Sequence, residues 1–269
     1  MRRGAFTILV GLLAGLSPAL ATDQASAKVR TTVVPYQHGP VMLEGFLAWD
    51  DAVSGKRPGV LVVHEWWGLN AYVRQRAEQL AALGYVAFAL DMYGKGMVTQ
   101  HADQASKWMQ QIQANVPGWQ ERANAGLEIL RDHELVDASR LGAIGYCFGG
   151  ATVLQLAFSG APVRGVVSFH GALPVPTKEQ ASQTRAKLLM AHGNQDSFVS
   201  QDHLVTFLAA LDAGNLDWRL VVYSGARHSF TNPAADAYGM DALKYDKAAD
   251  VRSWRHMQLF FDELFGTKE

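Results

Sequence analysis

Arg140-Leu-Gly-Ala-Ile-Gly-Tyr-Cys-Phe-Gly-Gly-Ala-Thr-Val-Leu-Gln-Leu-Ala-Phe158 decides how this 269-residue chain folds. Residues 140–144 are short and apolar, as a buried strand requires. Residues 151–158 suit a buried helix. Between them lies Gly145-Tyr-Cys-Phe-Gly-Gly150. A strand that turns at once into a helix around G-x-C-x-G has the pattern of a nucleophile elbow, with Cys147 in place of the usual serine. The glycines have a steric reason, because a Cβ at 145 or 149 would collide with neighbouring backbone in so tight a turn. The residue at the tip is strained, with a helix N-terminus behind it. The blander reading of Cys147 is a buried structural thiol, since free cysteines are among the most buried residues. The flanking glycines argue against it.

The remaining composition sets the frame. The chain is 49% hydrophobic and 18% charged, which is ordinary for a globular protein and ample for one large core. A formal net charge of −1 gives no reason to expect a nucleic-acid partner. At the N-terminus, Arg2 and Arg3 precede the apolar run 5–16, followed by Ala19-Leu-Ala21 and, as a second cleavage site, Ala25-Ser-Ala27. This is the layout of a secretory leader over 1–21, or 1–27 with the later site. The run is too short for a comfortable membrane span. The expected mature protein is therefore exported, periplasmic or secreted, without a membrane anchor. Cys147 is the only cysteine, so no internal disulfide forms, and an unpaired exported thiol leans toward use as a reactive group.

Upstream of the elbow, 29–34 and 41–47 read as an antiparallel hairpin turning at His38-Gly-Pro40. Apolar runs at 59–63, 85–90, 164–169, 187–191 and 218–223 read as buried strands. Between them lie expected helices over 70–84, capped by Asn70, and near 101–114, 119–132 and 200–213, with a final helix over about 240–265. Val116-Pro-Gly118 is expected to separate two of these helices, and 172–185 to be a polar loop. Arg74 and Arg76 fall off the apolar face of the first helix and are expected to be solvated. Val251, Trp254, Met257, Phe261 and Leu264 make the expected buried stripe of the last. Strands alternating with helices predict a single α/β domain over 28–269, with a mostly parallel sheet covered on both faces. Its site is expected at the strand C-termini, where His64, Glu65, Asp91, Cys147, His170, Asp196 and His228 fall.

An elbow nucleophile is followed in the chain by its acid and then its histidine. Asp196 and His228 have that order, each in a loop past a strand end. His170 and His192 precede Asp196 and are expected to be structural. In this arrangement His228 takes the thiol proton, and Asp196 fixes its tautomer and stabilises the imidazolium. Attack on a carbonyl creates an oxyanion, for which the Phe148 and Trp66 N–H groups are the expected donors. Glu65 has two readings. Either it points away and is structural, or it holds the resting thiol protonated.

Taken together, His64-Glu-Trp-Trp-Gly-Leu-Asn70, Asp91-Met-Tyr93, Gly145-Tyr-Cys-Phe-Gly-Gly150, His192-Gly-Asn-Gln-Asp196 and His228-Ser-Phe-Thr-Asn232 make residues 29–265 resemble the dienelactone hydrolase family of the α/β-hydrolase fold. The resemblance implies a Cys147–His228–Asp196 triad, an oxyanion hole at Trp66 and Phe148, and a Glu65 that contacts the resting cysteine until substrate displaces it. It also places Tyr93, Lys95 and Asn232 at substrate-binding positions. Two family arginines that grip the dienelactone carboxylate match Lys95 and Asn232 here, and lysine does not reproduce arginine's bidentate fork.

The expected activity is cleavage of a small ester or lactone through an acyl-thioester, by a monomer needing no cofactor. The reading from another class is a redox-sensing thiol protein on the same fold. His64-Glu65 begins like a zinc motif, but Gly68 occupies its last position, so no metal is expected; nor does the elbow carry a dinucleotide fingerprint.

Overall fold

The apolar runs around the elbow become the middle of an eight-stranded sheet in a computed structural model that describes Met1 and residues 28–266. The expected leader falls outside the described residues. The chain opens with the hairpin β1 (Val29–His38) and β2 (Val41–Asp50), paired antiparallel over their whole length. Then follow β3 (Arg57–Val63), α1 (Ala71–Ala82) and β4 (Val86–Leu90). Next come α2 (Ala102–Gln113), α3 (Val116–Arg131), β5 (Val136–Tyr146) and α4 (Phe148–Phe158). The C-terminal part is β6 (Gly165–Phe169), α5 (Lys178–Gln183), β7 (Lys187–Gly193), α6 (Gln201–Ala213), β8 (Trp218–Tyr223) and α7 (Lys247–Phe265).

The strand order is β1-β2-β4-β3-β5-β6-β7-β8, with β2 antiparallel to β4 and every later pairing parallel. Every residue of β3, β4 and β6 is buried, which explains why these strands read as continuous apolar runs rather than alternating ones. One core lies under α3, α4 and α6, around Leu127, Leu154 and Phe207. The other lies under α1 and α7, around Val73, Leu80 and Phe261. This is the doubly covered sheet of the α/β-hydrolase fold. No helix among the described residues is long and apolar enough to cross a membrane.

Several local expectations are corrected. Val116-Pro-Gly118 does not separate two helices but forms the first turn of α3, capped by Asn115, whose side chain accepts from the Gly118 amide. Proline is well suited there, since its missing N–H is one the first turn leaves unpaired. The segment 172–185 contains α5, closed by a capping box between Thr177 and Gln180. The last helix begins at Lys247, where Asp246 caps the amides of Ala248 and Ala249. Its buried stripe is Ala249, Ser253, Met257, Phe260, Phe261 and Phe265, while Val251 is exposed. Met257 and Phe261 lie in it as expected, Trp254 and Leu264 pack partly buried against the same core, and Val251 alone of the expected stripe turns outward.

Arg76 departs most. It is buried, not solvated: Nη2 donates to Asp250 Oδ1 at 2.5 Å and to the Thr231 carbonyl at 2.7 Å, and the guanidinium lies over Tyr72, Tyr146 and Trp254. It ties α1 to α7 and to the loop after β8.

Candidate active site

Cys147 is the single residue between β5 and α4. Its backbone sits at φ 55°, ψ −114°, a conformation that costs a non-glycine residue energy. Surrounding packing enforces it. A Cβ on Gly145 would lie 2.0 Å from the Gly149 carbonyl oxygen, and one on Gly149 would lie 2.3 Å from that of Val63. The Cys147 amide donates to Phe169 O at 3.0 Å, which anchors the tip to β6. The side chain is left half-buried, at the floor of a cavity.

Asp196 and His228 come from the loops after β7 and β8. Asp196 Oδ1 accepts from the Phe198 amide at 2.9 Å, so the carboxylate is aimed by its own turn. Its Oδ2 lies 2.8 Å from His228 Nδ1, and both residues are buried. His228 shares the cavity lining with Cys147, whose side chain acts on the ring. Burial alone would lower the His228 pKa. The neighbouring charge on Cys147 and the hydrogen bonds to Asp196 and Cys147 outweigh it and push the ring up to about 10. The structure thus brings Cys147, His228 and Asp196 into one chain of contacts. The rings of Phe198 and His170 pack edge-on against His228 at 4.8 and 5.2 Å.

Trp66 and Phe148 both line the cavity beside Cys147. Phe148 is the first residue of α4, so its N–H has no partner within the helix. The loop carrying Trp66 is held by His64. His64 Nε2 accepts from the Met92 amide at 3.2 Å, so Nδ1 carries the proton and donates to the Glu65 carbonyl. Burial lowers its pKa, consistent with a neutral ring. Both nitrogens are therefore used, which leaves His64 no lone pair for a metal.

Glu65 is held by the histidine loop. It is buried, with Oε1 accepting from Ser229 Oγ at 2.7 Å and Oε2 from Asn232 Nδ2 at 2.6 Å. Both oxygens thus accept from the histidine loop, and among the described residues no hydrogen bond joins Glu65 to the Cys147 sulfur. Burial raises its pKa, against the pull of those two donors, His228 and Arg76.

The three expected substrate-binding positions also change. Asn232 is buried, its amide spent on Glu65 and its carbonyl on the Ala234 amide. Lys95 is outside the cavity, on the surface, paired with Glu44 at 3.0 Å. Tyr93 is buried behind the cavity wall, stacked on Phe148 at 5.6 Å. Burial, then the charge on Cys147, raises its phenol pKa.

The cavity wall was largely invisible in the sequence. It is built by Met109 and Gln113 of α2, Ala172 after β6, Phe198 after β7 and Leu243 before α7. Met109 and Gln113 are four apart and so share a helix face, the one periodic signal available. His170 is buried, with Nε2 2.7 Å from Thr231 Oγ1, and His192 is buried too; both lie among packed groups, as expected of structural histidines.

The profile of the dienelactone hydrolase family matches residues 43–265. The chain belongs to the dienelactone hydrolase family. It is accordingly a hydrolase of the ester and lactone class. It is similar to the solved structure of m3DLH, with 39% identity, a TM-score of 0.86, and coverage of 88% of this chain and 99% of that one. A dienelactone hydrolase-like promiscuous phosphotriesterase from metagenomic libraries shows 38% identity and the same TM-score and coverage. A protein of Bradyrhizobium sp named as a probable 2-oxo-3-(5-oxofuran-2-ylidene)propanoate lactonase is 30% identical over 200 residues, 69% of this chain and 78% of its own length.

Proposed function

We propose that this dienelactone hydrolase family member is an exported cysteine hydrolase that opens small esters or lactones through an acyl-thioester. The observation that carries the reading is the unbroken contact from Asp196 through His228 to Cys147 at the floor of a cavity of about 250 Å³. His228 accepts the thiol proton, and the sulfur attacks the carbonyl carbon. The Trp66 and Phe148 amides stabilise the oxyanion. Collapse breaks the acyl–oxygen bond, and the leaving oxygen takes the proton from His228. In a lactone that oxygen stays tethered to the acyl group. His228 then deprotonates a water, which attacks the thioester, and the acid leaves as the thiol re-forms. Asp196 holds the imidazole tautomer throughout and stabilises its cationic form.

Export rests on the leader pattern of residues 1–21 or 1–27. N-terminal sequencing of the protein from the periplasm or medium tests it, and a chain that keeps Arg2 and Arg3 in the cytoplasm refutes it.

The activity is tested with p-nitrophenyl esters, a lactone series and a phosphotriester, beside Cys147→Ala. The expected result is ester or lactone turnover in the native protein and a loss of at least about 10³-fold in Cys147→Ala. A folded, reduced native protein that turns over no ester or lactone, yet forms a sulfenic acid readily, favours the redox reading instead.

A further inference from the structure

Resting on the hydrolase reading, we propose that the cavity selects uncharged, mainly apolar esters or lactones and rejects those bearing a carboxylate. Trp66, Met109, Phe148, Phe198 and Leu243 make an apolar wall, and among the described lining residues no Lys or Arg is present. Gln113 is the one neutral polar side chain there. Several polar and basic side chains around the site are committed elsewhere, and Lys107, two positions before Met109, is exposed on α2 outside the lining. Lys95 pairs with Glu44 on the surface. Arg227 donates to the Asp241 carbonyl and, with Lys244, lines a separate depression. Arg76 is buried against Asp250. Asn232 spends its amide on Glu65.

The charges that do face the reacting centre do not favour an anion. Whether their shared proton sits on the sulfur or on His228, that pair carries no net charge, and the Asp196 carboxylate leaves the group one negative charge. A substrate carboxylate would lose its hydration among apolar rings without gaining a partner, which is costly. An apolar group gains from the same walls. Phe198 is 53% exposed at the site with its ring edge on His228, a large apolar surface that an apolar substrate would cover. The volume of about 250 Å³ lies below the range for drug-sized ligands, so the substrate is small.

Two matched ester pairs test this with the purified protein. One varies charge on the acyl side, p-nitrophenyl pentanoate against mono-p-nitrophenyl adipate. The other varies it on the leaving group, methyl 4-acetoxybenzoate against 4-acetoxybenzoate. Each kcat/KM is divided by the ester's hydroxide-catalysed rate, which removes intrinsic reactivity. The neutral member is expected to be preferred at least about tenfold in both pairs, and Gln113→Arg to narrow that ratio by about tenfold, mainly through KM. Lys95→Ala is expected to leave both members unchanged. Equal or faster turnover of the carboxylated members, or their selective loss in Lys95→Ala, overturns this inference while the hydrolase reading stands. Turnover of no member by folded protein removes the hydrolase reading and this inference with it.

Discussion

At Cys147 the chain accepts φ 55° so that one sulfur can stand clear of both strand and helix. The neighbours hold it there because they are glycines. Gly149→Ala would place a Cβ against two backbone carbonyl oxygens, at 2.3 and 2.7 Å, neither of which is the movable end of a side chain. The expected cost is about 3 kcal/mol, read as a shift in the urea midpoint. Asp196→Asn tests the other end of the relay. An asparagine that turns its amide toward His228 Nδ1 forces the wrong tautomer and leaves the sulfur facing a protonated nitrogen. By comparison with the serine-protease aspartate, turnover is expected to fall about 10²–10⁴-fold with little change in Tm. An unaffected kcat/KM would remove Asp196 from the mechanism. Glu65 shows the limit of motif reading at this scale. The His64-Glu65 pair was legible in the sequence, but which way the carboxylate points depends on Ser229 and Asn232, more than 160 positions later.

Elements matter where two of them share a buried charge. Helix α1 was recognisable from Asn70, whose side chain accepts from the Val73 amide, and from its apolar face. Its Arg76 looked solvated because helical spacing records only the helix's own faces. The structure packs α7 against that side, and Asp250 then makes burial tolerable. Arg76→Met leaves the part-buried Asp250 carboxylate without its cation and frees the Thr231 carbonyl, so a loss of about 3 kcal/mol is expected in chemical denaturation. The double substitution Arg76→Met with Asp250→Leu should recover much of it, because removing both charges leaves none unpaired. A double variant as unstable as the single one would show that the guanidinium's packing on Tyr72, Tyr146 and Trp254 matters more than its charge. The outward turn of Val251 on α7 has the same origin, since only the sheet it meets selects Phe260 and Phe265 over it.

Across the whole molecule, stability depends on pH through groups buried beneath the sheet's C-terminal edge. His228 has a folded-state pKa of about 10 against 6.5 for the free ring. A raised value means its stabilising contribution is full below 6.5 and is lost as pH climbs through about 10. Glu65 is also raised, so its contribution is full below 4.5 and fades as pH rises above that value. Both act in the same direction, and the His228 contribution is lost as pH climbs toward about 10. Tm is therefore expected to fall over that rise in pH. The fall should be shallower in Cys147→Ala, which lacks the charged partner that raises His228. Scanning calorimetry from pH 6 to 10 measures both slopes, and parallel curves would separate the histidine's charge from the sulfur.

The elbow glycines, the apolar central strands and the order Cys147, Asp196, His228 by themselves determined the α/β sheet and the three residues that meet at its edge. These signals are local: a steric collision at a tight turn, burial on both faces of a strand, an ordered set of strand ends. What only the tertiary structure decided is where non-adjacent segments converge. It sent Asn232 to Glu65 rather than to a substrate, Lys95 to Glu44, and Arg76 to Asp250. It also closed the cavity with Met109, Phe198 and Leu243 from three separate segments. A long polar side chain is placed by the partner that best compensates its lost hydration, and such a partner can come from anywhere in the chain.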